Sequence, residues 1–198
     1  MQPHGIITNL LQEFNKNIWP PLRGHKHQII LKEDIEPICE RPYKHPFYHK
    51  TEIEKIVHDL LEAGYIRISH SPFSSPVLVR KAYGSWRMCI GYRSLNKATI
   101  KDKYYILVVD ELFDELCGTI IFFKLDLKSG YHQIKMKEGG IHKIAIRTPK
   151  GHYEFLVMSF GLTNAPSNFQ SLINKVVKPY LRKFVLVFFN DILVLVVL

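Results

Sequence analysis

Two aspartates in apolar surroundings are the residues of this sequence best placed to do chemistry. Asp126 sits in Phe122-Phe-Lys-Leu-Asp-Leu127, and Asp191 in Phe184-Val-Leu-Val-Phe-Phe-Asn-Asp-Ile-Leu-Val-Leu-Val-Val-Leu198. A carboxylate in an apolar strand is costly to bury unless it is paired or holds a cation. Two such strands side by side would bring the carboxylates together, and hard oxygen donors suit a divalent ion. The Asn190-Asp191 pair between two apolar runs fits the tip of an ordinary buried hairpin equally well, because both residues are common in turns. On that stretch alone both readings stay open. A second candidate is Val77 to Ile90, where Arg80, Lys81 and Arg87 are interleaved with Tyr83 and Trp86. This mixture suits phosphate and base contacts, and it suits a charged, solubilising sheet edge as well. His25-Lys-His27 is read as a solvated pair in a basic loop, with no partner ligands nearby in sequence.

The elements that must position these residues follow from apolar spacing. Residues 1–48 read as an irregular, extended arm, kept open by Pro20, Pro21, Pro37, Pro42 and Pro46, with a short helix over Ile6 to Phe14. Thr51 and Glu54 form a capping box for a helix whose buried face is Ile53, Ile56, Val57, Leu60 and Leu61, ended by Gly64. Strands are expected over Val77 to Lys81, Ser85 to Ile90 and Ile120 to Leu127, and a hairpin over Lys143 to Arg147 and His152 to Val157. Tyr92 to Asp102 reads as a polar connection, Asp110 to Leu116 as a short helix, and Lys128 to Gln133 as a turn. Pro166 opens a further helix with the stripe Phe169, Leu172, Ile173, Val176 and Val177, stopped by Pro179. Helices and hairpins are interspersed without regular strand–helix alternation, so the fold class is α+β with a mostly antiparallel sheet.

Composition narrows the function. The 198 residues suffice for one domain or two small lobes, and 46% hydrophobic residues allow a packed core. The net charge of +9 favours an anionic partner, most commonly nucleic acid. Cys39, Cys89 and Cys117 are isolated and odd in number, which makes neither a zinc pattern nor a disulfide framework and suits a reducing compartment. Residues 1–19 lack the apolar core and cleavage site of a signal peptide. The final apolar run is interrupted by Asn190 and Asp191 and is shorter than the roughly 20 residues a bilayer needs, so no membrane partner is expected. The chain stops in apolar residues without a polar cap, which reads as truncation. With no targeting signal, cytoplasm and nucleus both stay open.

Several ordered strings carry a specific resemblance. They are Ser85-Trp-Arg-Met-Cys, Tyr92-Arg-Ser-Leu-Asn-Lys, Lys124-Leu-Asp-Leu-Lys-Ser-Gly-Tyr-His-Gln-Ile134, Gly151-His-Tyr-Glu-Phe-Leu-Val-Met158, Phe160-Gly-Leu-Thr-Asn-Ala-Pro166 and Phe188-Phe-Asn-Asp-Ile-Leu193. The sequence resembles the reverse transcriptase domain of a gypsy-type LTR retrotransposon polyprotein from about Leu10 to Leu193. The resemblance implies a right-hand polymerase reduced to fingers and partial palm, with the thumb missing. It places an N-terminal arm at 1–48, fingers at about 49–91 and 132–152, and palm at about 92–131 and 153–198. It implies DNA synthesis from deoxynucleoside triphosphates on a primed RNA or DNA template, with two magnesium ions held between palm aspartates. Asp126 matches the first aspartate and Asp191 the second of the hairpin motif, and the Leu127 carbonyl would help hold the metal. Lys81 and Arg87 match residues that grip the triphosphate. Tyr131 matches the residue that blocks a 2′-hydroxyl, and Phe160 and Gly161 lie beside the nucleotide. The remainder of a Pol polyprotein would be the partner in a longer chain.

This sequence also departs from the family. Asn190 stands where the hairpin motif has an aspartate, which removes a negative charge from the metal site. Gly91 replaces an aspartate, Ala82-Tyr83 a Lys-Asp pair, Tyr105 and Leu107 two prolines, Gly139-Gly140 acidic residues, and Ser159 a proline. The expectation is a polymerase domain by descent, impaired by Asn190 and truncation. The alternative is a non-catalytic nucleic-acid-binding remnant that keeps Lys81, Arg87 and the basic surface.

Overall fold

Strand alternation and helical apolar stripes are both realised in the computed structural model, which describes residues 24–82, 84–104, 121–127, 129–181, 183–188 and 191–196. In chain order the elements are β1 (Lys26–His27), α1 (Phe47–Glu62), β2 (Ile66–Ile68), β3 (Ser75–Ala82), β4 (Ser85–Ile90), α2 (Arg93–Ala98) and β5 (Ile121–Asp126). A 3-10 turn at Gly130–Gln133 leads to β6 (Lys135–Met136). Then follow β7 (Ala145–Thr148), β8 (Gly151–Phe155), α3 (Ala165–Val177), β9 (Val185–Phe188) and β10 (Asp191–Val196). The chain divides into two units, one with the described parts of 18–101 and 131–165, the other with those of 102–130 and 166–198.

The larger unit is built on a five-stranded sheet of order β2-β8-β7-β3-β4, antiparallel except where β3 runs parallel to β7. Ile53 and Val57 of α1, Val77, Ile146, Phe155 and Val157 are buried in its core. The described part of the expected arm is extended and tied in by backbone bonds: Lys32 N–H donates to Ala98, and Ile100 N–H to Ile30. β1 pairs in parallel with β6, and this buries His27. The solvated-loop reading of His25-Lys-His27 therefore fails at His27, because a strand pairing distant in sequence covers it.

The capping box is also corrected. α1 begins at Phe47, four residues before Thr51, whose hydroxyl donates back to the Phe47 carbonyl at 3.5 Å. Glu54 instead forms an ion pair with Lys150 at 3.0 Å. The other end is as expected. Gly64 has φ 68°, and Tyr65 N–H reaches the Leu60 carbonyl while Gly64 N–H reaches that of Leu61, the paired bonds of a glycine-terminated helix. The stretch read as a polar connection after Tyr92 contains α2, and β2 was not anticipated. The expected helices at Ile6 to Phe14 and Asp110 to Leu116 lie outside the described residues. Among those described, no helix is long and apolar enough to cross a membrane.

The smaller unit packs α3 with the antiparallel sheet β5-β10-β9. Phe169, Leu172, Ile173 and Val177 supply the buried stripe of α3, while Val185, Val187, Ile192 and Val194 are buried in the sheet. Leu186 and Leu195 form a second apolar cluster with Phe184, Phe188 and Leu193. Gln170 donates to the Val187 carbonyl at 3.1 Å, which ties helix to sheet. The turn after β5 fits closely under α3: a Cβ added at Gly130 would come within 2.7 Å of the Phe169 ring. We therefore expect Gly130→Ala to destabilise the protein by about 1–3 kcal/mol through overpacking. Phe169→Leu in the same chain should restore part of that loss in urea denaturation.

Candidate active site

The register of the smaller sheet decides where the two aspartates go. β10 is its central strand, and Asp191 pairs with Asp126 of β5 on one side and Phe188 of β9 on the other. The hairpin expected around this stretch is present, and Asp191, the first residue of its second strand, pairs with Phe188 at the hairpin's end. Asn190 lies outside the described residues. Directly opposed positions are the closest cross-strand neighbours in a sheet, so the juxtaposition expected from the sequence is present in the backbone. Two like charges directly opposite destabilise a strand pair, and a hard divalent ion is the natural occupant of such a donor set. The residues therefore fit the expected ion.

Two further features surround this pair. Lys124 Nζ lies 3.0 Å from Asp191 Oδ2, with Asp191 43% exposed. The Leu127 carbonyl, expected to help hold a metal, accepts a hydrogen bond from Gly130 N–H at 3.2 Å. A carbonyl has two lone pairs, so one remains. Ser129 has a left-handed φ of 53°, which turns the chain directly after β5.

The larger unit carries the other expected residues. On the β3–β4 hairpin, Lys81 stands opposite Trp86, and Arg80 opposite Arg87. Successive strand residues point to opposite faces, so Lys81 shares a face with Trp86 while Arg87 shares the other with Arg80. The two residues expected to grip one triphosphate are thus on different faces, and Arg80 is the cross-strand neighbour of Arg87. The arrangement follows from the register that pairs Ala82 with Ser85, which apolar spacing does not reveal. Trp86 is engaged by His49 at 5.3 Å and Tyr48 at 6.2 Å, ring centre to ring centre.

Tyr131, Phe160 and Gly161 do come together. Tyr131 is buried and stacks on half-exposed Phe160 with ring centres 4.6 Å apart. Burial raises its hydroxyl pKa. Gly161 has φ 91°, a backbone state that favours glycine. Asn96 clamps this loop: its amide donates to the Gly161 carbonyl at 2.8 Å and its side-chain oxygen accepts from Thr163 N–H at 2.9 Å. Asn164 donates to the Ile100 carbonyl at 2.8 Å. Asn96 is a positioning residue that the local sequence does not mark, because the loop it clamps is distant in the chain.

Two departures from the family have packing roles. A Cβ at Gly91 would meet the Pro76 ring at 2.9 Å. Ser159 is buried, and its hydroxyl donates to the Phe160 carbonyl at 3.3 Å.

These features correspond to known folds and sequences. The structure is similar to the foamy viral protease-reverse transcriptase solved with an RNA/DNA hybrid, with a TM-score of 0.75 and 17% identity over 98% of this chain and 27% of that one. It is also similar to a prototype foamy virus protease-reverse transcriptase mutant, with a TM-score of 0.77 and 20% identity over 96% of this chain and 26% of that one. The fold is thus the fingers-and-palm α+β fold of reverse transcriptases. Residues 79–197 match the family model described as reverse transcriptase (RNA-dependent DNA polymerase), and the chain belongs to that family. It is 37% identical over 200 residues to the retrovirus-related Pol polyprotein from transposon opus and 42% identical over 175 residues to that from transposon 297, both of Drosophila melanogaster. A Tf2-3 transposon polyprotein of Schizosaccharomyces pombe is 33% identical over 175 residues. These alignments cover 96%, 85% and 88% of this chain but 20%, 16% and 13% of the polyproteins. The chain spans about a fifth or less of the curated relatives it matches. The family comprises RNA-directed DNA polymerases, which are nucleotidyltransferases and generally use divalent ions.

One titration is set by the fold. His132 packs beside Tyr65, Phe155 and Phe160, and burial pushes its pKa down to about 4 from 6.5. The unfolded chain then binds one more proton than the folded one between those values. Stability present above the ordinary value is lost as pH falls toward about 4, by up to about 3 kcal/mol. His132→Phe should remove this part of the acid sensitivity when melting temperatures near neutrality and near pH 4 are compared.

Proposed function

We propose that this chain catalyses, or descends from a domain that catalysed, RNA-directed DNA synthesis. The reaction is nucleotidyl transfer from a deoxynucleoside triphosphate to a primer 3′-hydroxyl on an RNA or DNA template. The observation that carries the reading is the register that sets Asp191 opposite Asp126, within the span matching the polymerase family. In this reading the two aspartates and the Leu127 carbonyl hold two magnesium ions. Bound ions would supply Lewis acidity and charge neutralisation at the phosphate. Arg87 binds the triphosphate, and the opposed positions of Arg80 and Arg87 favour an anion on that face, whereas Lys81 lies on the other face of the hairpin. Tyr131, stacked on Phe160, offers a rigid ring to exclude a 2′-hydroxyl, and the bonds of Asn96 keep the Phe160–Gly161 loop in place. We assign the arm to 1–48, fingers to about 49–91 and 132–152, and palm to about 92–131 and 153–198. Where the chain is expressed as a longer one, the remainder of a Pol polyprotein is its partner.

Asn190 makes the activity weak. It removes a charge from a site that must hold divalent ions, and loss of a single neutral donor in other active sites costs roughly 10²–10³ in rate. Single-nucleotide primer extension with magnesium, and then manganese, tests this on the parent chain and Asn190→Asp side by side. We expect at least about a hundredfold faster extension by the variant. Equal and efficient extension by both would refute the impairment. No extension by either, with primer–template binding retained, would favour the binding-remnant reading.

A further inference from the structure

Lys124 is not among the residues that the polymerase reading uses, yet its side chain touches the candidate ion site. It precedes Asp126 by two residues on β5 and stands opposite Leu193, which makes it the diagonal neighbour of Asp191. Its ammonium group lies 3.0 Å from Asp191 Oδ2. Diagonal positions in a sheet are within reach of long side chains, so the contact follows from the register.

We propose that Lys124 is a built-in competitor for the divalent ion at Asp191, a counter-charge that holds the strand pair together when no ion is bound. The inference rests on the ion-site reading of Asp126 and Asp191. The register sets two acidic positions opposite each other, like charges so placed destabilise a strand pair, and the ammonium group of Lys124 offsets the charge of Asp191. The same ammonium group lowers the negative charge that Asp191 offers an ion. A divalent ion that takes Asp191 Oδ2 must displace Lys124 or bind beside a positive charge, and both weaken it. The lysine therefore sets the ion concentration at which the site fills.

The test is manganese binding to the full chain, followed by electron paramagnetic resonance of the free ion. The parent is compared with Lys124→Met, Lys124→Gln, Lys124→Arg and Asp191→Asn, and with the Lys124→Met/Asp191→Asn double variant. The proposal expects the Met and Gln variants to bind about tenfold more tightly than the parent, as removal of one cation a few ångströms from a divalent ion implies. Lys124→Arg should keep the parent affinity, and the gain should vanish in the double variant. Thermal melts should show a larger manganese-induced rise for Lys124→Met than for the parent. Unchanged or weaker binding in both neutral variants, with binding still abolished by Asp191→Asn, would overturn the proposal and leave the ion site standing. Binding indifferent to Asp191→Asn would overturn the ion-site reading and the proposal with it.

Discussion

Opposed carboxylates repel, and a sheet that begins its central strand with one of them must offset the charge. In this protein the pairing of β10 with β5 sets Asp191 opposite Asp126. Much of the smaller unit serves that pairing. Val185, Val187, Ile192 and Val194 are buried, with the α3 stripe forming the rest of the core, and Leu186 and Leu195 anchor a second apolar cluster. A one-residue slip would send every side chain to the wrong face, so apolar burial fixes the register that juxtaposes the charges. The Lys124–Asp191 ion pair offsets part of the repulsion. The chemistry of the site and the stability of the sheet are therefore the same electrostatic problem.

The larger unit solves a different problem, that of presenting an aromatic-glycine loop in one conformation. Gly161 supplies the left-handed backbone, Asn96 bonds both sides of it, and Phe160 rests on Tyr131. His132 is kept neutral by the same apolar surroundings. Rigid positioning by hydrogen bonds from a neighbouring element is what precise sites require. The β3–β4 hairpin is less settled by its sequence. Its register separates Lys81 from Arg87 by face and makes Arg80 the partner of Arg87.

Elements with strong apolar periodicity were legible in the sequence. The Gly64 helix end, β3, β4, β8 and most of the α3 stripe occur where expected, while β7 begins two residues late, at Ala145, after a 3-10 turn over His142–Ile144. What was not legible depends on contacts distant in sequence. β1 is a strand because β6 lies beside it, and His27 is buried for the same reason. The capping box failed because α1 extends a turn further back from Thr51, to exposed Phe47. The Asn96 clamp needed knowledge of which loop lies beside α2. Motif resemblance named the residues of the site; the register showed which are neighbours.

The central claim is that Asp126 and Asp191 form one divalent-ion site. Iron-directed backbone cleavage tests it most directly. Ferrous iron replaces magnesium in the full chain, ascorbate and peroxide generate radicals at the bound ion, and mass spectrometry locates the cuts. The account predicts cuts on both strands, at the end of β5 near Asp126 and at the start of β10 near Asp191, suppressed by excess magnesium and by Asp191→Asn. Cleavage confined to another place, such as the exposed His58, Asp59 and Glu62 group on α1, would contradict it.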